Sequence, residues 1–520
     1  MSAPLAELIA LLEARGLLRG IVPGVAAAAG SVMVTEVVLD SRRVAPGALF
    51  AAVPGERLDG HAFVSAAVAA GAVAVLAERP TAGLPVPQLL VAASRPALAI
   101  AAAWRHGFPT RTLGIVGVTG TDGKTTTTHM VRAVLEAAGR PTGLLGTVDV
   151  VVGGRSLGNP GRTTTPEAPE LQALLAAMVG AADRWAVVEA SSHGLAQERV
   201  GEVAWDVAVL TNVTQEHLEF HHTREAYVAA KRRLFEALAV GAANPEKGFG
   251  KTAIVNADDP AAQGFLAAAR AAGARTLTYG TAAAADTRLT ALDEDRHRLR
   301  LGVRTARWEG DVALRSAGRF NAHNALAALA VGEALELDGA AVREGLAAMP
   351  AVPGRMERID AGQPFAVIVD YAHTPEALRV VLDGLAPVAA ATGGGLVAVF
   401  GSAGERDTLK RPLMGAVAGE RCRLVVLTDE DPRGEDRERI LEEIGAGAER
   451  AGRRRGHDLL LIADREAAIR EACQRARPGD VVLLAGKGHE KTIELAGGAV
   501  PWDDGAAARR ALAALGFGTP

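Results

Sequence analysis

Gly117-Val118-Thr119-Gly120-Thr121-Asp122-Gly123-Lys124-Thr125-Thr126-Thr127 follows the apolar run Leu113 to Val118 and precedes a helical pattern carried by Met130-Val131, Val134-Leu135 and Ala138. Strand, glycine-rich turn and helix in that order form a phosphate cradle. The glycines let backbone N–H groups converge on phosphate oxygens, and the helix N-terminus adds its positive end. Gly120, Thr121, Gly123 and Thr126 build the turn, Lys124 neutralises β/γ charge, and the Thr125 hydroxyl is placed to ligate Mg²⁺. The spacing departs from the general P-loop, because the glycine expected five positions before Gly123 is Val118. The loop predicts a site for a nucleoside triphosphate.

Outward from the loop, strand-like runs alternate with helical ones at Trp185 to Glu189, Val207 to Leu210 and Thr252 to Val255. Such alternation predicts an α/β protein with a mostly parallel sheet and ligands at the carboxyl ends of its strands. Towards the N-terminus, short β-like runs at Val32 to Leu39, Ala48 to Val53, Val73 to Leu76 and Gln88 to Val91 mark a smaller α/β domain, closed by a break at Phe108-Pro109-Thr110. Pro350, Pro353 and Gly354 mark a second boundary, after which Ala366 to Val369, Leu396 to Phe400, Leu424 to Leu427 and Val481 to Ala485 each end before a polar or glycine-rich segment. The expected organisation is three domains: 1–108, small α/β; 109–350, a central P-loop-type mostly parallel sheet; and 351–520, Rossmann-like. Three is also what 520 residues predict.

Bulk properties narrow the partners. Net charge is −4 and the densest basic run is Arg453-Arg454-Arg455, so a nucleic-acid partner, which needs a basic face, is excluded. No apolar run is long enough to span a bilayer, and Met1 to Gly20 carries Glu7 and Glu13 in an amphipathic pattern that suits a folded helix better than a signal peptide. Cys422 and Cys473 are too few for a disulfide framework and fit a cytoplasmic protein.

Chemistry-bearing residues recur after the strand-like runs. Glu189, with Ser191, Ser192 and His193 close behind, stands where a P-loop fold keeps a Mg²⁺-binding acid, and His217 with Glu189 is a candidate pair for a second metal. Lys231, in the helical segment Tyr227 to Phe235, reads as a surface helix lysine. Asn321 and Asn324 open an alanine-rich helix, as caps or as readers of an adenine edge. Asp370 follows a strand and suits a ribose or phosphate. At the last strand ends, Arg406 and Arg433 can grip a carboxylate while Asp431 and Glu490 can hold an amine, unless these charges form an internal network.

Taken in order, these motifs resemble the Mur ligases, ATP-dependent amide-forming enzymes of peptidoglycan precursor synthesis, in their diamino-acid-adding branch. The resemblance is carried by Asp40-Ser41-Arg42 with Gly55 to Gly60, Gly117 to Thr127, Thr163 to Glu167, Glu189 to Leu195, Thr211 to His222, Lys231, Asn256 to Pro260, Gly318 to Asn324, Arg355-Met356-Glu357, Asp370 to Pro375, Gly401 to Pro412 and Gly486 to Glu490. It implies that the first domain holds the uridine end of UDP-MurNAc-L-Ala-D-Glu, with Ser41 near the nucleotide and Thr164, Thr165, Ser191, Gln197 and Arg199 on the muramoyl peptide. It implies further that Asn321, Arg355 and Asp370 complete the ATP site, and that Lys231 is carbamylated to support the metal with Glu189, His217 and Thr125. By the same resemblance Lys124, Lys231, His217 and Glu189 are catalytic, and Arg406, Glu430, Asp431, Pro432, Arg433, Gly486 and Glu490 hold the diamino acid. The implied protein is a cytoplasmic monomer.

The diamino-acid motif departs from the family pattern. Diaminopimelate-adding members usually read Asp-Asn-Pro-Arg where this chain has Glu430-Asp431-Pro432-Arg433. The arginine favours meso-2,6-diaminopimelate, while the added charge at Asp431 leaves L-lysine and L-ornithine open. Glu216 and Asp122 stand where Asp and Asn are usual. Two other readings are a folylpolyglutamate-synthetase-like ligase, which lacks a separate first domain, and an ATP-binding switch protein without ligase chemistry.

Overall fold

The computed structural model describes residues 2–518 except 24–28, 56–57, 160–162, 215–217, 240–246, 248–249, 295–297 and 316–317. The chain forms two compact units: Met1–Arg288 with Thr305–Arg307 and Leu326–Val342, and Leu289–Arg304 with Trp308–Ala325 and Arg343–Pro520. The fold is α/β throughout, as its alternating pattern predicts.

The first unit opens with a five-stranded sheet in the order Leu18–Val22, Gln88–Val91, Ala74–Ala77, Ala48–Ala51, Glu36–Val38, parallel except at its first pair. Helices Leu5–Ala14 and Ser94–Arg105 cover one face, and the second buries Ala97, Ala99, Ala101 and Ala102 almost completely. Small side chains let that helix lie close, which is how a chain with 4% aromatic residues fills a core.

The large sheet of this unit runs Arg155–Ser156, Val150–Val152, Thr142–Leu145, Trp185–Glu189, Gly114–Thr119, Val207–Leu210, Thr252–Asn256, Arg275–Gly280. It is parallel from Thr142–Leu145 onward, with the first two strands turned back as an antiparallel edge. Its register pairs Glu189 with Val118 and Leu210 with Thr119, which brings the strand end carrying the glycine loop beside the one carrying the acid. Gly117 serves packing, because a Cβ there would stand 2.7 Å from the Trp205 ring; the glycine lets an indole lie on the central strand.

In the second unit a hairpin, Leu299–Arg304 with Glu309–Leu314, was hidden from the alternation argument because its strands follow each other without a helix. Its main sheet has the order Glu357–Ile359, Ala366–Asp370, Val481–Ala485, Leu396–Phe400, Leu424–Leu427, Leu459–Leu461, parallel after the first pair. Helices Pro375–Ala391, Lys410–Arg421 and Arg437–Arg450 pack in one core, and Arg465–Arg475 with Asp504–Ala514 in the other. The chain leaves Leu396–Phe400 towards one face and Val481–Ala485 towards the other. The crevice between those neighbours is a topological switch point, where open α/β sheets bind ligands. A fully buried pair, Arg465 with Asp504 at 2.7 Å, ties this edge together, since the same guanidinium donates to the carbonyls of Asp429 and Ala485.

Candidate functional site

The glycine loop is braced by the neighbouring strand end. Thr121 N–H donates to Asn212 O (2.8 Å), Asp122 N–H to Asn212 Oδ1 (2.9 Å), and the Thr211 hydroxyl to Asp122 O (2.6 Å). Gly120, at φ 152°, passes so near Thr211 that a Cβ would fall 1.8 Å from its Oγ1, so only glycine fits. Gly123, at φ 81°, turns the chain into the helix Lys124–Ala137, whose first residues include the buried Thr125 and Thr126.

Two ammonium groups meet on this loop. Lys124 Nζ donates to the carbonyls of Gly120 (3.0 Å) and Thr121 (2.7 Å), and Lys231 Nζ donates to Gly120 O (2.5 Å). Lys231 is 1% exposed, which corrects the surface reading. Tyr227, Lys231, Leu234 and Phe235 fall on the buried stripe of the helix Arg224–Glu236, and the lysine ammonium stands 4.4 Å from the Tyr227 ring centre. Tyr227 also places its hydroxyl 3.0 Å from Thr121 Oγ1, so one aromatic residue braces both the loop and the lysine.

Glu189 is fully buried and held by neutral donors alone among its described partners. Thr147 N–H reaches Oε1 (3.0 Å), while the hydroxyls of Thr147 (2.9 Å) and Thr125 (3.2 Å) reach Oε2. None of these donors carries a formal charge. The Thr125 hydroxyl beside a charged carboxylate is the donor set a hard cation takes, so these residues fit Mg²⁺. His217 lies outside the described residues. Thr147 and Tyr227 went unnoticed in the sequence; Leu145-Gly146-Thr147 at a strand end was the available signal for the first.

From Glu189 a chain of contacts leads to the other residues of this unit. Thr164 Oγ1 lies 2.9 Å from the Thr147 hydroxyl, and the Thr165 hydroxyl donates to Glu189 O (2.7 Å) and accepts from Ser191 N–H (3.0 Å). Arg199 donates to Thr165 O (2.9 Å) and Gln197 Oε1 (2.7 Å) and pairs with Glu167 (3.1 Å), whose other oxygen meets Arg95 at 2.7 Å. Ser41 stands apart, in the short turn Ser41–Arg43 capped by Asp40.

In the second unit Asp370 accepts amides from Met356 and Ala372, each at 2.9 Å, and burial pushes its pKa above the usual carboxylate range. Arg355 lies 4.7 Å over the Tyr371 ring, and Asn324 donates to Asn321 Oδ1 (2.9 Å). Arg433 holds Gly404 O with Nη1 (3.3 Å), and its N–H donates to Glu494 O (2.8 Å). Arg411 ties Glu435 and Glu443 beneath that turn. Pro432 continues the turn, and its carbonyl accepts from Glu435 N–H. Asp431 is bound to Lys487 (2.7 Å), which also meets Glu490 (2.5 Å), so these acids are partly neutralised inside the protein. Glu430 is 6% exposed with Oε2 unpartnered among the described residues, and the glycine at 486 leaves room beside it. Arg406 is exposed. Lys487 is the residue sequence reasoning passed over, since nothing local shows that a lysine will be buried against Asp431.

A glycine-rich phosphate loop on a parallel sheet, joined to a buried acid and two lysines, defines a P-loop α/β protein. Three family models match: the Mur ligase middle domain at 118–332, the Mur ligase glutamate ligase domain at 354–488, and the Mur ligase family catalytic domain at 33–105. The chain belongs to the Mur ligase family, whose members are ATP-dependent, ADP-forming amide ligases. It is 52% identical to a UDP-N-acetylmuramyl-tripeptide synthetase of Roseiflexus sp. (strain RS-1), across 93% of this chain and 95% of that one. It is 40% identical to a UDP-N-acetylmuramoyl-L-alanyl-D-glutamate--2,6-diaminopimelate ligase of Solibacter usitatus (strain Ellin6076), across 93% and 94%. A solved structure of a ligase with that same name superposes with a TM-score of 0.67 at 30% identity, covering 99% of this chain and 100% of the other. The match at 33–105 gives the chain the first domain that the folylpolyglutamate alternative lacks.

Proposed function

We propose that the chain joins a diamino acid, with meso-2,6-diaminopimelate the favoured one, to the D-glutamyl carboxylate of UDP-MurNAc-L-Ala-D-Glu, splitting ATP to ADP and phosphate. The observation that carries this reading is the meeting of Lys124 and Lys231 at Gly120, with Thr125, the residue after Lys124, hydrogen-bonded to the buried Glu189. The names of the relatives support the product, a UDP-linked tripeptide, and the diamino acid.

In this reading the D-glutamyl carboxylate attacks the γ-phosphorus, the bond to the β–γ bridging oxygen breaks, and ADP leaves. The amine then attacks the acyl carbon and phosphate departs. Carboxylate and γ-phosphate are both anions, so the site must offset their repulsion: Lys124 and the loop amides face the phosphates, and burial excludes water. Thr125 and Glu189, with His217 and a carbamate on Lys231, would hold Mg²⁺, which supplies further positive charge at the phosphates. Thr164, Thr165, Ser191, Gln197 and Arg199 orient the peptide, Ser41 the uridine end, and Asn321, Arg355 and Asp370 the remainder of ATP. The diamino acid falls to Arg406, Arg433, Glu430, Glu490 and their loop. By domain, 1–108 takes the nucleotide sugar, 109–350 ATP and 351–520 the amino acid.

No described helix is long and apolar enough to cross a membrane, and the two buried free cysteines suit a reducing cytoplasm, where we place the reaction. A phosphate-release assay with UDP-MurNAc-L-Ala-D-Glu, ATP and Mg²⁺ tests the reading: release should depend on adding diaminopimelate, lysine or ornithine. Release with none of the three would end it.

A further inference from the structure

Asp431 stands two residues before the arginine offered to the substrate, and an uncancelled carboxylate there would oppose what Arg433 is for. The structure removes that conflict with a residue distant in sequence. Lys487, 1% exposed, directs its ammonium at Asp431 Oδ1 (2.7 Å) and Glu490 Oε2 (2.5 Å), and the same Asp431 oxygen accepts Glu494 N–H at 2.9 Å. The two loops are laced by their main chains as well: Gly404 N–H donates to Asp431 O (2.8 Å), and Gly404 O in turn receives Arg433. Asp431 is therefore fixed and half-saturated before any ligand arrives.

The balance of charges shows what the arrangement leaves for a ligand. Lys487 and Arg433 are cations; Asp431 and Glu490 are anions. Lys487 is shared between Asp431 and Glu490 and offsets one of their two charges. That leaves the guanidinium of Arg433, with no ion pair among the described residues, and one carboxylate charge on the Glu490 side, where the side chain is 34% exposed. One cation and one anion complement a zwitterionic amino-acid centre, the group that ends diaminopimelate away from its reacting amine. A substrate whose far end carries only an ammonium uses half of that pair. Without Lys487 the same set is net negative and favours the lone ammonium.

We propose that Lys487 is a positioning residue for specificity, cancelling Asp431 so that Arg433 stays free to select a carboxylate at the far end of the diamino acid. The inference rests on the ligase reading above and names what lets this chain carry an aspartate in the motif while retaining a diaminopimelate-type site.

The test uses the full chain and phosphate release with UDP-MurNAc-L-Ala-D-Glu, ATP and Mg²⁺, comparing kcat/KM for diaminopimelate and for lysine. Lys487→Met should lower the diaminopimelate-to-lysine ratio by about tenfold, chiefly through KM for diaminopimelate, as expected when a charge beside the recognising group is left uncancelled. Lys487→Met with Asp431→Asn should recover most of the ratio, because the uncancelled charge is gone. Equal losses for both amino acids, or no recovery in the double variant, would show Lys487 to be a structural ion-pair partner and overturn the proposal. If Lys487→Met does not fold, Asp431→Asn alone decides: the ratio should hold within about threefold, and a collapse would mean that the ligand itself uses the aspartate charge. A native enzyme that prefers lysine overturns the proposal but leaves the ligase standing, whereas one that turns over with no diamino acid removes the ligase reading itself.

Discussion

Two buried acids, Glu189 in the first unit and Asp504 in the second, are held in opposite ways. Glu189 receives an amide and two hydroxyls, all neutral, with no cation of the protein among its described partners. In the second unit Asp504 is paired with Arg465 and Asp431 with Lys487, so these two charges are offset by cations of the protein. Neutral donors make a site that attracts a cation and, through it, phosphate. Cationic partners make a rigid frame whose selectivity rests on the few charges left over.

The largest expected effect comes from breaking a frame pair. Arg465→Met leaves Asp504 buried and unpaired and should destabilise the protein by about 3–5 kcal/mol, read from denaturant unfolding; an unchanged midpoint would contradict the frame role. In the first unit Lys124→Met should leave unfolding nearly untouched yet lower phosphate release by about 10²–10³-fold, because the cation serves a ligand and not the fold. Smaller again, Arg433→Ala should cost diaminopimelate about 10–100-fold in kcat/KM and lysine much less, the loss of a carboxylate's charged partner.

The smallest effect concerns pH. Burial pushes the His129 imidazole below its ordinary range, with Nδ1 2.8 Å from Thr125 O. The unfolded chain then binds a proton that the folded one resists, so this contribution is fully present above the unfolded pKa of about 6.5 and is lost as pH falls below it. His129→Gln should flatten the acid side of the stability profile. An unchanged slope between about pH 7.5 and 5.5 would show that the histidine takes no part.

Much of the first unit was legible from local pattern. The glycine loop, the strand ahead of it and Glu189 at the next strand's end follow from residue order, since parallel α/β sheets gather strand ends. Lys231 was misread as a surface residue, although its four-residue spacing from Tyr227 puts both on one helix face. The second unit was harder. Its candidate acids and arginines could be named, but their pairings join residues far apart, Asp431 to Lys487 and Arg465 to Asp504, and tertiary packing alone decides which charges are cancelled. Gly117 was misleading for a related reason: it sits in the loop motif, yet it makes room for Trp205.

The most direct test of the whole account follows oxygen. UDP-MurNAc-L-Ala-D-Glu carrying heavy oxygen in the D-glutamyl side-chain carboxylate is incubated with ATP, Mg²⁺ and diaminopimelate, and the released phosphate is weighed by mass spectrometry. Transfer of one labelled oxygen to phosphate, in step with tripeptide formation, is the predicted result. Phosphate released without label, or with no new amide bond, would contradict it.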